Sequence, residues 1–369
     1  MEKFDINRPF DKISFSRIKK YPGQIFALLF VFLLIAGISI GIGLINPSFL
    51  YLTIPLIALP ALFSLQVSIN FLIEGRGISN KASFGFFLSY FSSQFKGCYR
   101  VVLTFFKSLL VYVVFSLIVA ISYYYIAINV SPTFKESLDQ VASLLQNDGF
   151  NSIEKLFENN DLLLFYHFSQ GIPLLFSSLY FCHNILLNSL NVHIRSRVGS
   201  VSPSALNSLF SFMVRSDKKL FYWSFVKRNW PGYLFYGIGF ILGYLLSFFL
   251  FPNMPTFAIC FALFFAIFFL CFYLPFTFIS SDLFIRNNDQ NIKKFFIEFS
   301  LKSLEELKKT SIFTNEQINE AFKNIKEVEK SLDDAKKEQN EDKEEKDSID
   351  SKKVDNDSSN NNPNGNEKE

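Results

Sequence analysis

No residue between Arg228 and Asp282 carries a formal charge. That is more apolar chain than one buried core helix uses, and two membrane crossings of about 20 residues fill it. Placing one Lys or Asp at mid-membrane costs about 2.5–3.5 kcal/mol, so a gap of this kind carries information. Four further apolar runs precede it. The pattern predicts an all-α integral membrane protein with six transmembrane helices, at 24–45, 49–73, 108–128, 170–192, 231–251 and 256–281. The chain is 50% hydrophobic with a mean hydropathy of +0.24, although its end is almost wholly polar. The abundant Phe, 48 of 369 residues, reads as a compositional bias and not as a functional signal.

Charge orients the spans. Of 21 Lys and Arg before position 289, all but Lys135 and Lys155 fall in segments that the spans place on one side. Those segments are 1–23, the loops 74–107 and 195–228, and Arg286. The turns Asn46-Pro47-Ser48 and Pro252-Asn253-Met254-Pro255 are uncharged, and 129–161 holds six acidic residues against two basic ones. The positive-inside rule then puts both termini in the cytoplasm, and a bacterial cytoplasmic membrane is the expected location. No small-residue cleavage site follows the first apolar run, so it is expected to stay as an anchor.

The expected organisation is a cytoplasmic segment 1–23, a six-helix membrane domain 24–288, a cytoplasmic helical segment 289–338 and a disordered charged tail 339–369. Within the membrane domain, 129–161 is the extracytoplasmic loop. The stripe Phe134, Leu138, Val141 and Leu145, with Phe150, Ile153 and Phe157, predicts two short amphipathic helices there. A shift of 122 residues superposes Phe84, Phe87, Leu88 and Phe91 on Leu206, Leu209, Phe210 and Met213. Each set has helical spacing, and both predict amphipathic helices on the inner membrane face. Ser202 and Pro203 are the expected N-cap and first residue of the second. In the tail, Thr314 and Gln317 form a capping-box signature ahead of Ile318, Phe322, Ile325, Val328 and Leu332.

Two small-residue pairs, Gly37 with Gly41 and Gly239 with Gly243, have the spacing that lets helix backbones approach closely. Packing within the monomer is the plain expectation, and homo-oligomerisation the sharper one. On span four, Gln170, Ser177, Asn184, Asn188 and Asn191 fall within about 60° of the helix surface and extend about 32 Å. Amides facing lipid are costly, so this stripe should meet other helices or line a polar path. Gln66 and Asn70, four apart on span two, are the expected partners. Arg195, Arg197, Arg215, Lys218, Lys219, Lys227 and Arg228 would contact anionic lipid headgroups or a protein partner at the inner face.

Signatures of catalysis are absent: no HExxH, no GxSxG, no phosphate loop. His167 and His183 lie about 24 Å apart on one helix and cannot share a metal. Cys260 and Cys271 are about 16 Å apart, too far for a disulfide. No cofactor, metal, nucleic-acid partner or enzymatic activity is expected. With no Asp, Glu, Lys or Arg inside the spans, ion- or proton-driven transport is disfavoured. Two functions remain. One is a membrane scaffold or assembly protein that recruits partners through its cytoplasmic loops and tail. The alternative is a permease-like subunit for a neutral or amphipathic substrate. Six spans with inner loops after spans two and four resemble, in topology alone, the membrane domains of ATP-binding-cassette exporters, which implies a separate ATPase.

Overall fold

The computed structural model describes residues 7–73, 99–131, 133–137, 139, 160–198, 203–251, 254–309, 316, 319–327 and 330. Those residues form helices and turns, without a strand. Among the described residues five helices are long and apolar enough to cross a membrane, or six if one bent pair counts as a single span. The chain divides into Met1–Asp289, which holds these spans, and Gln290–Glu369.

The first unit begins with α1 (Lys12–Lys20), where Asp11 caps the helix by accepting the Ser14 N–H at 2.7 Å. Arg17, Lys19 and Lys20 fill its last turn, the end where cations suit the helix dipole. Pro22 opens α2 (Pro22–Ile45) at a position that needs no N–H. Asn46 ends it, its side chain accepting the Ser48 N–H at 2.9 Å and turning the chain back. The return helix α3 (Leu50–Ile73) widens to a π turn over Ile54–Ala58. Pro55 lies in that turn; it has no N–H to give and its ring would crowd the Tyr51 carbonyl in a regular helix.

Then come α4 (Tyr99–Val130), α5 (Asn160–Val198), α6 (Pro203–Ser216) and α7 (Lys219–Leu250). At 1.5 Å per residue the 39 residues of α5 reach about 58 Å, well beyond a hydrocarbon core of about 30 Å. The last apolar stretch is not one helix. It divides into α8 (Pro255–Cys271) and α9 (Leu274–Asn287), bent by 54°. Pro275 lacks the N–H that would have met the Cys271 carbonyl, and the chain turns there. The continuous span expected over 256–281 is thus a broken one. A final helix, α10 (Asp289–Lys309), leads into the second unit, where 319–327 is also helical.

The packing order follows from the contacts. α8 lies against both α2 and α7, α7 against α5, and α5 against α4 and α9. α3 is the central helix. Within its span window 72% is buried, against 28–33% for the other four. Its Ser64, Gln66, Ser68 and Asn70 explain why: polar groups on a span are tolerated inside a bundle and not against lipid. Large apolar side chains such as Phe26, Ile38, Leu117, Ile121, Ile241 and Phe249 stand exposed on α2, α4 and α7. Exposure on that scale marks a surface that meets something other than water.

Of the two predicted inner-face helices, the second is α6. Its Leu209, Phe210 and Met213 are buried, and the helix packs on α4 and α5. The apolar stripe is therefore spent within the bundle. The first, over 84–91, lies outside the described residues. So do most of the predicted helices of 129–161 and the tail beyond 330, although 133–137 is helical and Phe134 is buried.

Candidate functional site: a buried clasp and a central cavity

At the end of the bundle where α1 sits, Arg228 is fully buried, with 0% of its surface exposed. Its guanidinium donates to the Asp11 carboxylate and the Arg8 carbonyl, and lies 3.3 Å from the Ser14 hydroxyl. The Tyr273 hydroxyl donates to the Arg228 carbonyl at 2.7 Å, so the α8–α9 bend and α7 are tied at the same point. Phe10 packs edge-on against Tyr273 and Phe276, and Thr277 donates to the Asn229 side chain at 2.8 Å.

A second cluster joins α3, α5 and α9. Gln66 Nε2 and Asn70 Nδ2 lie 2.8 and 2.9 Å from His193 Nε2, and the same Gln66 nitrogen donates to the Ser189 carbonyl at 2.8 Å. Two amide donors meeting one ring nitrogen make it the acceptor, which leaves the imidazole N–H at Nδ1. That nitrogen faces Asp282 Oδ1 at 3.8 Å. Asp282 also accepts from Arg286 Nε at 2.8 Å and lies 4.0 Å from Arg17. Ser189 and Ser281 close the group at 2.6 Å. α1 is therefore held twice, by Asp11 to α7 and by Arg17 to α9.

The clasp has a pH signature. Burial pushes the Asp11 carboxyl up, but the hydrogen bond and charge of Arg228, with the Ser14 N–H, more than offset it and hold the group below its ordinary 3.8. A carboxylate with a lowered native pKa stabilises the fold above its unfolded value, and that contribution is lost as pH falls through the lowered one. The melting temperature of the detergent-solubilised protein should hold from neutrality to about pH 5 and fall below about 4. Asp11→Asn should be less stable at neutrality and show a shallower acid fall. An unchanged acid limb in that variant would remove Asp11 from the account.

Between the spans lies a cavity of about 190 Å3. Every spanning element lines it: Phe32 on α2, Leu62 on α3, Phe105 on α4, Phe181 on α5, Tyr236 on α7, Leu263 on α8 and Leu274 on α9. Its polar groups are hydroxyls, those of Tyr51, Tyr112, Tyr236, Ser108, Ser177 and Ser178; among the described residues no charged side chain reaches it. The Tyr112 hydroxyl donates to Gln170 Oε1, linking α4 to α5 at the cavity's edge. Among the described residues no three His, Cys, Asp or Glu are grouped to hold a metal.

No known protein family matches this chain, and no curated protein or solved structure is significantly similar to it. The site must be read from its own chemistry.

The polar stripe of α5 does not stay together. Ser177 lines the cavity and Gln170 accepts from Tyr112, whereas Asn184 donates to its own helix at the Tyr180 carbonyl, 2.8 Å away. Asn188 and Asn191 are buried and bond to each other at 3.2 Å. Gln66 and Asn70 do reach α5, but they meet Ser189 and His193 and not the asparagines. His193 carried no sequence signal beyond its place at a span end. The amide pair four residues apart on α3 could have suggested a shared partner. Arg228 is not a headgroup contact, because it is buried and paired. Arg215, Lys218, Lys219 and Lys227 are exposed, and the side chains of Arg195 and Arg197 lie outside the described residues.

The two glycine pairs differ. A Cβ on Gly239 or Gly243 would run into the Phe265 or Phe261 carbonyl oxygen of α8, so the backbones there nearly touch. Around Gly37 the nearest atom would be Phe264 Cε2 at 3.3 Å, and around Gly41 nothing lies within 4 Å.

Proposed function

We propose that this chain is a permease-like membrane protein that takes a neutral, apolar or amphipathic molecule into the cavity between its spans. The cavity carries the reading. An apolar cavity of about 150 Å3 stays dry and admits benzene or xenon, and this one is larger. Apolar walls with a few hydroxyls are the chemistry of a site for a small organic molecule. Without a charged lining it offers nothing to an ion or a proton. In this reading both termini are cytoplasmic, the clasp of α1 closes the cytoplasmic end, and energy, if transport is active, comes from a separate ATPase. The host membrane is the bacterial cytoplasmic one.

The second reading, a scaffold that recruits partners or anionic lipid at the cytoplasmic face, draws on the exposed Arg215, Lys218, Lys219 and Lys227. Most of the other material it needs, the loop 74–98 and the end of the tail, lies outside the described residues.

Extraction in mild detergent, followed by denaturation and mass spectrometry of the released molecules, tests the first reading. The native protein should release a neutral molecule that Ser177→Phe, which fills the cavity, retains about tenfold less or worse, a loss of ~1.4 kcal/mol. Phe176→Leu, on an exposed position of the same helix, should leave the yield unchanged. Equal yields from all three would defeat the permease reading and leave the scaffold.

A further inference from the structure

The central cavity is closed unevenly along α3 and α4. At one level the two helices touch: Val101 of α4 is buried with Leu59 and Phe63 of α3, and Phe181 of α5 packs against the three. From that contact α3 leads back to Tyr51, about 12 Å along its axis, and α4 leads on to Tyr112, about 16 Å along its own. Over this stretch the cavity lies between them, lined by Tyr51 and Ile54 on one side and Leu109 and Tyr112 on the other. The aromatic packing of α4 goes instead to α5, where Phe105 and Phe115 meet Phe181 and Phe176.

Tyr51 lines the cavity and yet is 45% exposed, so the cavity wall at that point is also the surface of the protein. The neighbouring exposed side chains are apolar, Leu52 and Leu56 on α3 and Phe106 and Val113 on α4. An opening set among such side chains gives onto lipid and not onto water. The two phenols are close enough to interact electrostatically across the seam. They are held differently. Tyr112 is fixed by its bond to Gln170, whereas the Tyr51 hydroxyl has no hydrogen-bond partner among the described residues. A change of rotamer therefore moves the Tyr51 ring without breaking a hydrogen bond, and Tyr112 stays where it is.

We infer that this seam is a lateral portal through which a small apolar molecule dissolved in the bilayer enters the central cavity, with Tyr112 as its fixed side and Tyr51 as its moving one. The inference rests on the permease reading and supplies the route for it. The contact of Val101 with Leu59 and Phe63 closes the seam below the portal, and the α4–α5 packing closes the next seam round. In the six-span topology Tyr51 is in the first turn after the extracytoplasmic hairpin, so the molecule comes from the outer half of the bilayer. An uncharged cavity entered from lipid takes only what lipid dissolves.

The test uses the full-length protein in liposomes, with Tyr51→Cys and Tyr112→Cys combined and Cys98→Ser removing a competing thiol. A short bismaleimide bridges the introduced pair. The probe is an uncharged iodophenyl diazirine, which partitions into bilayers, and crosslinks are mapped by mass spectrometry after illumination. Without the bridge, the variant should be labelled at the buried cavity residues Leu62 and Leu270 as the native protein is. Bridging before the probe is added should lower that labelling about tenfold, the effect of cutting the entry-competent fraction to about a tenth. Bridging after loading should trap the probe, so that the labelling survives extraction by excess empty liposomes. Labelling at the exposed Leu117 and Phe249 should not depend on the bridge. The pair Ile54→Cys and Leu109→Cys spans the same seam and replaces the first pair if that variant does not fold. If bridging leaves Leu62 and Leu270 labelled as before, the portal is overturned while the cavity reading stands. A charged, water-soluble aryl diazirine that labels them equally well also overturns it, because the route is then from water. If neither residue is labelled in the native protein, the permease reading fails and the portal with it.

Discussion

Arg228→Met should lower the free energy of unfolding by about 3–5 kcal/mol, because it strands the Asp11 carboxylate in a buried site. A headgroup contact, by contrast, would be worth about 1 kcal/mol near the surface. The two magnitudes separate the buried clasp from the surface reading that the local sequence suggests. The pair itself need not be a large net stabiliser, since desolvating both ions offsets much of their attraction. Removing both partners should therefore cost less than the two single changes together. The Asp11→Leu, Arg228→Met double variant closes that cycle. Unfolding by a denaturing detergent, followed by helical circular dichroism, reads the stabilities. Proteolysis near α1 reads the second consequence, because the Arg8 carbonyl and Asp11 both lose the bond from Arg228. A loss below about 0.5 kcal/mol with α1 still protected would sink the clasp.

The spans were legible because each burial requirement is local. An apolar run of sufficient length names itself, and Pro22 and Asn46 mark the ends of α2 as their chemistry requires. Helix extents were less legible. α5 continues past its apolar window at both ends, and helix propensity does not stop where hydrophobicity does. Prolines gave an ambiguous signal. Pro173 and Pro231 sit inside continuous helices and Pro55 inside a π turn, whereas Pro275 accompanies a 54° bend. What differs at Pro275 is tertiary: the bend brings the Tyr273 hydroxyl onto the Arg228 carbonyl.

The clasp and the cavity were invisible for the same reason. Asp11, His193, Arg228 and Asp282 come from four separate segments, each at the edge of an apolar run where a charge is ordinary. Only their convergence makes them a site. The cavity has no motif at all; it is space left by seven helices whose lining residues read as core. The amide pair on α3 and Ser177 of the α5 stripe were the fragments visible beforehand, and the pair named the right helix with the wrong side chains.

Gly239 and Gly243 carry the second large effect. Alanine at either should destabilise the protein by about 1–3 kcal/mol, the usual cost of forcing extra atoms into a packed site. The obstruction is backbone, the carbonyl oxygens of Phe265 and Phe261, so no rotamer change relieves it and α7 and α8 must move apart. The double variant should approach the sum only if both helices stay docked; separation caused by the first change makes the second cheaper. Gly41 and Gly237 supply a control of opposite sign. Nothing lies within 4 Å of a Cβ at either position, so alanine should be neutral or stabilise by about 0.5–1 kcal/mol through helix propensity. The same detergent titration reads all four. If Gly243→Ala is as well tolerated as Gly237→Ala, the close approach of α7 and α8 is wrong. The wall that Leu263 and Tyr236 give the central cavity is then wrong with it, since that wall depends on how α8 seats against α7.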